Sequence, residues 1–242
     1  MKYDLKYNNK KGHVIVFLHG WGLNRKVYNK IISCLYDDVN YLNIDLFGFG
    51  ESNNPKEYFD VYEYAYQIFL LLKKLSITKI ILVGHSFGGR LAIILSSVYR
   101  LEIKALVLTS SAGLNRFSLI RWFKVNKYKF YKKLVGLKLL NKSALNKFGS
   151  RDYVDCNDIL RGVFVRVVNE DLSYLLSNIN IKTYLVWDKK DRDTPYWICS
   201  NLNRCINNSR VVLYDYGGHF VAFENFRKFA NLLSLIDLSA DY

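Results

Sequence analysis

The chain has 242 residues, of which 50% are hydrophobic, and it carries a formal net charge of +14 at pH 7. This length can bury a full core, and the absence of internal repeats or a linker favours one domain with an insertion over two separable domains. The longest apolar runs are too short to span a bilayer and the first residues are polar, so we expect no signal peptide and a cytoplasmic protein.

Short apolar runs alternate with helical patterns along most of the chain. The strand candidates are 13–18, 40–44, 79–83, 103–110, 181–187 and 210–214, and the helical candidates lie near 26–36, 58–75, 88–100, 196–206 and 223–236. This alternation predicts an α/β fold, with a mostly parallel central sheet and helices on both faces. Loops at the carboxyl ends of such strands meet at one edge of the sheet, where these folds bind ligands.

The loop after the first strand candidate, His19-Gly20-Trp21-Gly22, follows a continuous apolar run of the buried-strand type. Such a loop can aim backbone N–H groups at a negative charge that develops during a reaction. We therefore predict that the Trp21 N–H is one donor of an oxyanion hole. An ordinary strand-to-helix turn is the alternative interpretation of this loop.

The segment Gly84-His85-Ser86-Phe87-Gly88 lies between a strand candidate and a helix candidate, as a nucleophile elbow requires. Ser86 would be the exposed nucleophile, and Gly84 and Gly88 would let strand and helix approach without collision. The Phe87 N–H would be the second oxyanion donor. Because the pattern is short, a plain glycine-rich loop is the alternative.

The alternation of strand and helix candidates stops between residues 110 and 181. We interpret 114–178 as a helical cap inserted into a core formed by 1–113 and 179–242. Trp122, Phe123 and Phe164 are predicted walls of a substrate pocket. Further candidates for these walls are Phe130, Tyr131, Leu134 and Phe148. Packing within the cap's own core is the favoured alternative for side chains of these types.

The cap also holds most of the net charge. Residues 103–151 contain twelve Lys or Arg and no acidic residue, which leaves +2 for the rest of the chain. A solvated cationic face is favoured over attraction to an anionic substrate or an anionic membrane surface. We expect no nucleic-acid partner, because no recognised binding motif accompanies the charge.

Two loops near the end of the chain offer an acid and a base. Asp188, Asp191 and Asp193 follow one strand candidate, and spacing within that segment does not choose between them. His219 follows the last strand candidate and is the predicted general base, since the chain order Ser, Asp, His is the one required of this type of site. His19 and His85 flank the predicted site, where we expect structural roles.

The four cysteines, at positions 34, 156, 199 and 205, have neither dense disulfide spacing nor the spacing of metal ligands. Reduced thiols are the simplest interpretation. The sequence contains no glycine-rich phosphate loop and no cluster of metal ligands, so we expect no cofactor and no metal.

In order and spacing, these motifs resemble the α/β-hydrolase superfamily, specifically its small serine hydrolases with a cap. The resemblance covers nearly the whole chain and includes a further motif, Asp45-Leu46-Phe47-Gly48-Phe49-Gly50-Glu51-Ser52. The family pattern Trp-Gly-x-x-Asp ahead of a proline aligns Asp191 as the orienting acid. The chain departs from the family at Asp188, where a glycine is usual, and at Phe47, where a proline is common.

The resemblance implies hydrolysis of a small carboxylic ester by a Ser86-His219-Asp191 triad, through an acyl-enzyme intermediate. A serine at the elbow argues against the epoxide and halide chemistry of relatives that carry a carboxylate there. Carbon–carbon bond hydrolases, aminopeptidases, acyltransferases and non-catalytic ligand-binding proteins of the same fold are the alternatives. The sequence specifies neither the substrate's acyl and alcohol groups nor the oligomeric state.

Overall fold

The computed structural model describes residues 1–8, 12–115, 119–137, 139–141 and 158–239, with the backbone alone for 119–125 and 158. Its centre is a seven-stranded sheet in the order β1-β3-β2-β4-β5-β6-β7. The strands are β1 (Lys2–Lys6), β2 (Val14–Leu18), β3 (Asn40–Asp45), β4 (Lys79–His85), β5 (Glu102–Thr109), β6 (Thr183–Trp187) and β7 (Ser209–Leu213).

The sheet is parallel except at one edge. β1 pairs antiparallel with β3, whereas the pairs from β3 through β7 are all parallel. The chain leaves β2 for β3 on one side and then returns to β4 on the other. The carboxyl ends of β2 and β4 therefore flank the point where the strand order reverses, which is where a crevice forms in an open α/β sheet.

The strands are apolar because both faces of the sheet are covered. In β2 all five residues are buried, and their side chains alternate between two apolar clusters. Val14, Val16 and Leu18 belong to one cluster. Ile15 and Phe17 belong to the other. Neither face of such a strand contacts water, so its sequence is a continuous apolar run.

Helices cover the two faces. They are α1 (Asn29–Ile32), α2 (Val61–Lys74), α3 (Phe87–Val98), α4 (Leu119–Gly136), α5 (Asp158–Asn169), α6 (Tyr196–Cys205), α7 (Val221–Glu224) and α8 (Phe226–Ser239). α2 begins at a capping box, in which the Asp60 carboxylate accepts the Tyr62 and Glu63 N–H groups and the Glu63 side chain accepts the Asp60 N–H. α2, α3 and α6 pack on one face, and α1, α7 and α8 pack on the other.

The predicted fold class is confirmed, because the sheet is mostly parallel and helices lie on both faces. All six strand candidates are strands. The seventh strand, β1, is not among the sequence predictions, since its residues Lys2–Lys6 are mostly exposed and carry no apolar run. The predicted helix near 26–36 is a 3₁₀ turn at Arg25–Tyr28 followed by the short α1.

The segment between β5 and β6 contains α4 and α5. Side chains of α5 reach the main apolar cluster, where Val163 and Val167 are buried with Leu172 and Leu176. On α4, Lys127, Lys129, Lys132 and Lys133 are exposed. The division into a core and a cap at 114–178 stays a prediction. Within the described parts of the chain, no helix has the length and apolar character needed to cross a bilayer.

Candidate active site

Ser86 occupies a sharp turn between β4 and α3. Its φ is +50° and its ψ is −108°, a conformation that L-residues rarely adopt and that costs free energy. The glycines around it permit close contact between strand, turn and helix. A Cβ on Gly88 would lie 2.1 Å from the Leu18 carbonyl oxygen, and one on Gly84 would lie 2.5 Å from the Gly88 carbonyl oxygen. The turn can therefore form only if both positions lack a side chain.

Three side chains from different loops meet at this turn. His219 Nε2 lies 3.0 Å from Ser86 Oγ, and His219 Nδ1 lies 3.1 Å from Asp191 Oδ2. Ser86 follows β4, Asp191 follows β6 and His219 follows β7, so all three lie at the carboxyl edge of the sheet. With a proton on Nδ1, the imidazole donates to the carboxylate and leaves Nε2 free to accept from the serine hydroxyl.

Of the three candidate acids, Asp191 is the one that forms a hydrogen bond with His219. Its Oδ1 accepts the N–H groups of Asp193 and Thr194, each at 2.9 Å. Burial by itself would raise the pKa of Asp191, but hydrogen bonds from His219 and Thr194 outweigh it, and the pKa lies below its usual value. Asp191 is therefore an anion at neutral pH.

Thr194 belongs to the same cluster and is absent from the sequence predictions. Its hydroxyl lies 2.7 Å from Asp191 Oδ2, 3.0 Å from the Ser110 carbonyl oxygen and 3.2 Å from His219 Nδ1. The available sequence signal was local, because an aspartate side chain often accepts backbone N–H groups two or three residues later. That pattern places the Thr194 backbone beside Asp191, but it does not orient the hydroxyl.

The loop after β2 lies directly against the serine. A Cβ on Gly20 would be 3.3 Å from Ser86 Cβ, and the Trp21 ring packs edge-on against Phe87 with centroids 5.4 Å apart. Within the described residues, the backbone N–H groups of Trp21 and Phe87 have no protein acceptor. Neither N–H group is thus tied up in a backbone hydrogen bond, which is what an oxyanion-hole donor requires, and their role as such donors stays a prediction.

His19 and His85 are buried supports on either side of the serine. His19 accepts the Leu46 N–H through Nε2 and donates from Nδ1 to the Gly20 carbonyl oxygen, so it joins the loops after β2 and β3. His85 Nδ1 lies 3.1 Å from the Thr109 carbonyl oxygen. Burial lowers the pKa of His19 to about 4. It lowers the pKa of His85 to about 3. Both rings are neutral at physiological pH.

Of the predicted pocket walls, Phe164 lies next to the site. Its ring centroid is 5.1 Å from that of Trp21, and Trp21 in turn packs against Phe49 at 4.9 Å. The side chains of Trp122 and Phe123, and all of Phe148, lie outside the described residues. Phe130 is 59% exposed on α4, which is not the environment of a pocket wall.

Asp191, Asp193 and His219 are the described group whose ligand atoms approach closely enough to consider a metal, within 4.8 Å of one another. The Asp191 oxygens already accept hydrogen bonds from two backbone N–H groups and from Thr194. His219 Nδ1 also contacts the Asp191 carboxylate. Asp191 and His219 are thus engaged in hydrogen bonds with each other and with the loop, so the group fits a cation poorly.

A mostly parallel sheet with a serine at a strand-to-helix turn, and with aspartate and histidine on later loops, defines the α/β-hydrolase class of folds. A family model described as "alpha/beta hydrolase fold" matches residues 13–148. That match covers more than half of the chain, and the chain belongs to this family.

Relatives match this chain over different lengths. The AB hydrolase superfamily protein YisY of Bacillus subtilis is 27% identical over 248 residues, covering 92% of this chain and 91% of the relative. A pimeloyl-[acyl-carrier protein] methyl ester esterase of Wigglesworthia glossinidia brevipalpis is 37% identical over 98 residues, covering 40% of this chain and 36% of the relative. An esterase from Exiguobacterium antarcticum has a similar structure, with a TM-score of 0.73 at 22% identity, covering 93% of this chain and 92% of the esterase.

Proposed function

We propose that the chain is a serine hydrolase of small carboxylic esters that works through an acyl-enzyme intermediate. The observation that carries the proposal is the continuous hydrogen-bonded path from Ser86 through His219 to Asp191, with distances of 3.0 and 3.1 Å. Heavy-atom separations of this size are within the range over which a proton passes between a nucleophile and its base.

In the first half of the reaction, Ser86 Oγ attacks the ester carbonyl carbon while His219 Nε2 takes the serine proton. The carbonyl oxygen gains negative charge and accepts the N–H groups of Trp21 and Phe87. Asp191, an anion at neutral pH, stabilises the imidazolium and holds its Nδ1 proton. Collapse of the tetrahedral intermediate breaks the carbon–oxygen bond, and the leaving alcohol takes the proton from Nε2.

In the second half, water attacks the acyl carbon and gives its proton to His219 Nε2. A second tetrahedral intermediate forms in the same cradle of N–H groups and releases the carboxylic acid, while the proton returns to Ser86 Oγ. The neutral state of His85 suits this cycle, since a cation so close to His219 would oppose the formation of imidazolium.

The names of similar proteins agree with ester hydrolysis. YisY is named as a member of the hydrolase superfamily, and the proteins from Wigglesworthia and Exiguobacterium are named as esterases. α4 and α5 would form the cap above the site, with Phe164 as one wall of the acyl pocket. Trp122 and Phe123 remain proposed walls on the basis of their sequence position.

The test compares the Ser86→Ala variant with the wild-type chain. We expect the variant to stay folded and to lose p-nitrophenyl acetate hydrolysis by about 10⁴-fold or more. A fluorophosphonate probe should label the wild-type chain at Ser86 and leave the variant unlabelled. Ser96→Ala makes the same change within α3, away from the turn. This control should keep both the hydrolysis of p-nitrophenyl acetate and the labelling of Ser86 by the probe. Hydrolysis by Ser86→Ala at the wild-type rate would reject the proposal.

A further inference from the structure

Asp188 is a buried carboxylate directly after β6. The residue is 3% exposed. Its Oδ1 accepts the Lys190 N–H at 2.8 Å, and its Oδ2 accepts the Gly218 N–H, also at 2.8 Å. One side chain therefore joins the loop that carries Asp191 to the loop that carries His219.

The loop that carries His219 needs such a support. Gly217 and Gly218 adopt consecutive positive φ angles of +117° and +54°, and glycines have more backbone freedom to lose on ordering than other residues. Among the described residues, no neighbouring atom lies within 4 Å of the place where a Gly218 Cβ would be. Gly218 is held instead by backbone bonds: its own N–H donates to Asp188, and the Phe220 N–H donates across it to the Gly217 carbonyl oxygen at 2.9 Å.

The neighbouring tether of this loop acts further from the imidazole. Asn225 Nδ2 donates to the Tyr216 carbonyl oxygen at 2.8 Å, three residues before His219. The bond from Gly218 to Asp188 acts at the residue next to His219 and is the stronger type, because its acceptor is charged and buried. A small rotation at Gly218 would carry the imidazole away from Ser86 Oγ.

We propose that Asp188 is a positioning residue, which sets the distance of His219 from Ser86 by holding the Gly218 N–H. Only the expected change in kcat on esters rests on the proposed esterase function; the effect on the position of His219 does not. Asp188 touches neither Ser86 nor the imidazole in any described hydrogen bond, so its effect passes through the backbone of the loop. A glycine at position 188 provides no such bond.

The experiment compares three variants. Asp188→Gly removes the side chain and with it both hydrogen bonds. Asp188→Asn keeps the size of the side chain but can accept only one of the two N–H groups well, since its amide nitrogen is a donor. Asp215→Asn is the matched control, because it removes the same charge from an exposed position on the His219 loop.

We expect Asp188→Gly to lower kcat about tenfold on p-nitrophenyl acetate with KM nearly unchanged, as for the loss of one charge-assisted hydrogen bond that affects the transition state. Asp188→Asn should lose less, and Asp215→Asn should match the wild-type chain. The imidazole NMR signals of His219, assigned by their absence in His219→Gln, should shift or broaden in Asp188→Gly, less so in Asp188→Asn, and not in Asp215→Asn.

A purely structural role would give a different result. If Asp188→Gly lowered the thermal midpoint but kept kcat and the His219 signals, the positioning role would be overturned. The NMR measurement also separates the two proposals. If the wild-type chain hydrolysed no ester, the esterase proposal would fail. A displaced His219 imidazole in Asp188→Gly would still support the positioning role. An unchanged imidazole would reject that role.

Discussion

Thr194 connects the acid of the site to the sheet beneath it. Its hydroxyl lies within hydrogen-bond distance of Asp191 Oδ2 and of the Ser110 carbonyl oxygen, and its backbone N–H donates to Asp191 Oδ1. The side chain is buried, so water does not replace these contacts easily. Thr194 therefore helps to fix the carboxylate that orients His219.

Replacing Thr194 by valine should lower kcat severalfold to about tenfold, the size expected for one hydrogen bond to a charged group. Valine has nearly the same shape and keeps the backbone bond to Asp191, so we expect the fold and KM to change little. Thr194→Ser retains a hydroxyl and should recover most of the rate. Equal kcat values for the valine and wild-type chains, measured on p-nitrophenyl acetate, would contradict this role.

The residues of the site differ in how far the sequence could predict them. Ser86 and His219 stand in short motifs after strand candidates, and their positions follow from the order of the chain. Choosing Asp191 over Asp188 and Asp193 required the family pattern, because all three follow the same strand. The bond between Asp188 and Gly218 joins residues 30 positions apart, and no local pattern contains it.

At the level of elements, α5 brings the segment between β5 and β6 to the site. Val163 and Val167 anchor the helix in the core, and Phe164 between them contacts Trp21. One helix thus has a face that stabilises the fold and a residue that reaches the loop beside Ser86. This arrangement predicts that Phe164 affects substrate binding more than stability.

We expect Phe164→Ala to raise KM for esters with long or aromatic acyl groups by about tenfold, since roughly 1.4 kcal/mol of lost binding free energy corresponds to that factor. kcat on p-nitrophenyl acetate should change little, because acetate is too small to need the ring. Phe130→Ala changes the same residue type at an exposed position of α4 and should have no effect. A loss of kcat on acetate in Phe164→Ala would show instead that the ring supports Trp21.

The strands that the sequence predicted are those buried on both faces, because burial of this kind requires a continuous apolar run. β1 was missed since it lies at the sheet edge, where Lys2–Lys6 pair with β3 through backbone hydrogen bonds that do not depend on apolar side chains. The long segment between β5 and β6 was predicted as helical, and α4 and α5 lie there. The sequence did not indicate that α5 joins the main core.

For the molecule as a whole, the buried ionisable groups determine how stability responds to acid. Asp45 and Asp191 have lowered pKa values despite burial, because hydrogen bonds and charges stabilise their anions. Their contribution is lost only as pH falls below the ordinary aspartate value of about 4. His19 and His85 affect the free energy of unfolding at higher pH, since burial keeps them neutral in the folded chain.

The unfolded chain protonates its histidines near pH 6.5, whereas the folded chain holds His19 neutral to about pH 4 and His85 to about pH 3. Between these values the unfolded state binds more protons, so stability falls as pH falls, by about 1.4 kcal/mol per pH unit for each histidine. We expect the urea midpoint to decrease clearly from pH 7 to pH 5. His85→Gln, which cannot be protonated, should reduce that decrease by about half. Equal midpoints for the wild-type chain at pH 7 and pH 5 would mean that both rings accept protons without cost, which would contradict their burial as neutral supports of the site.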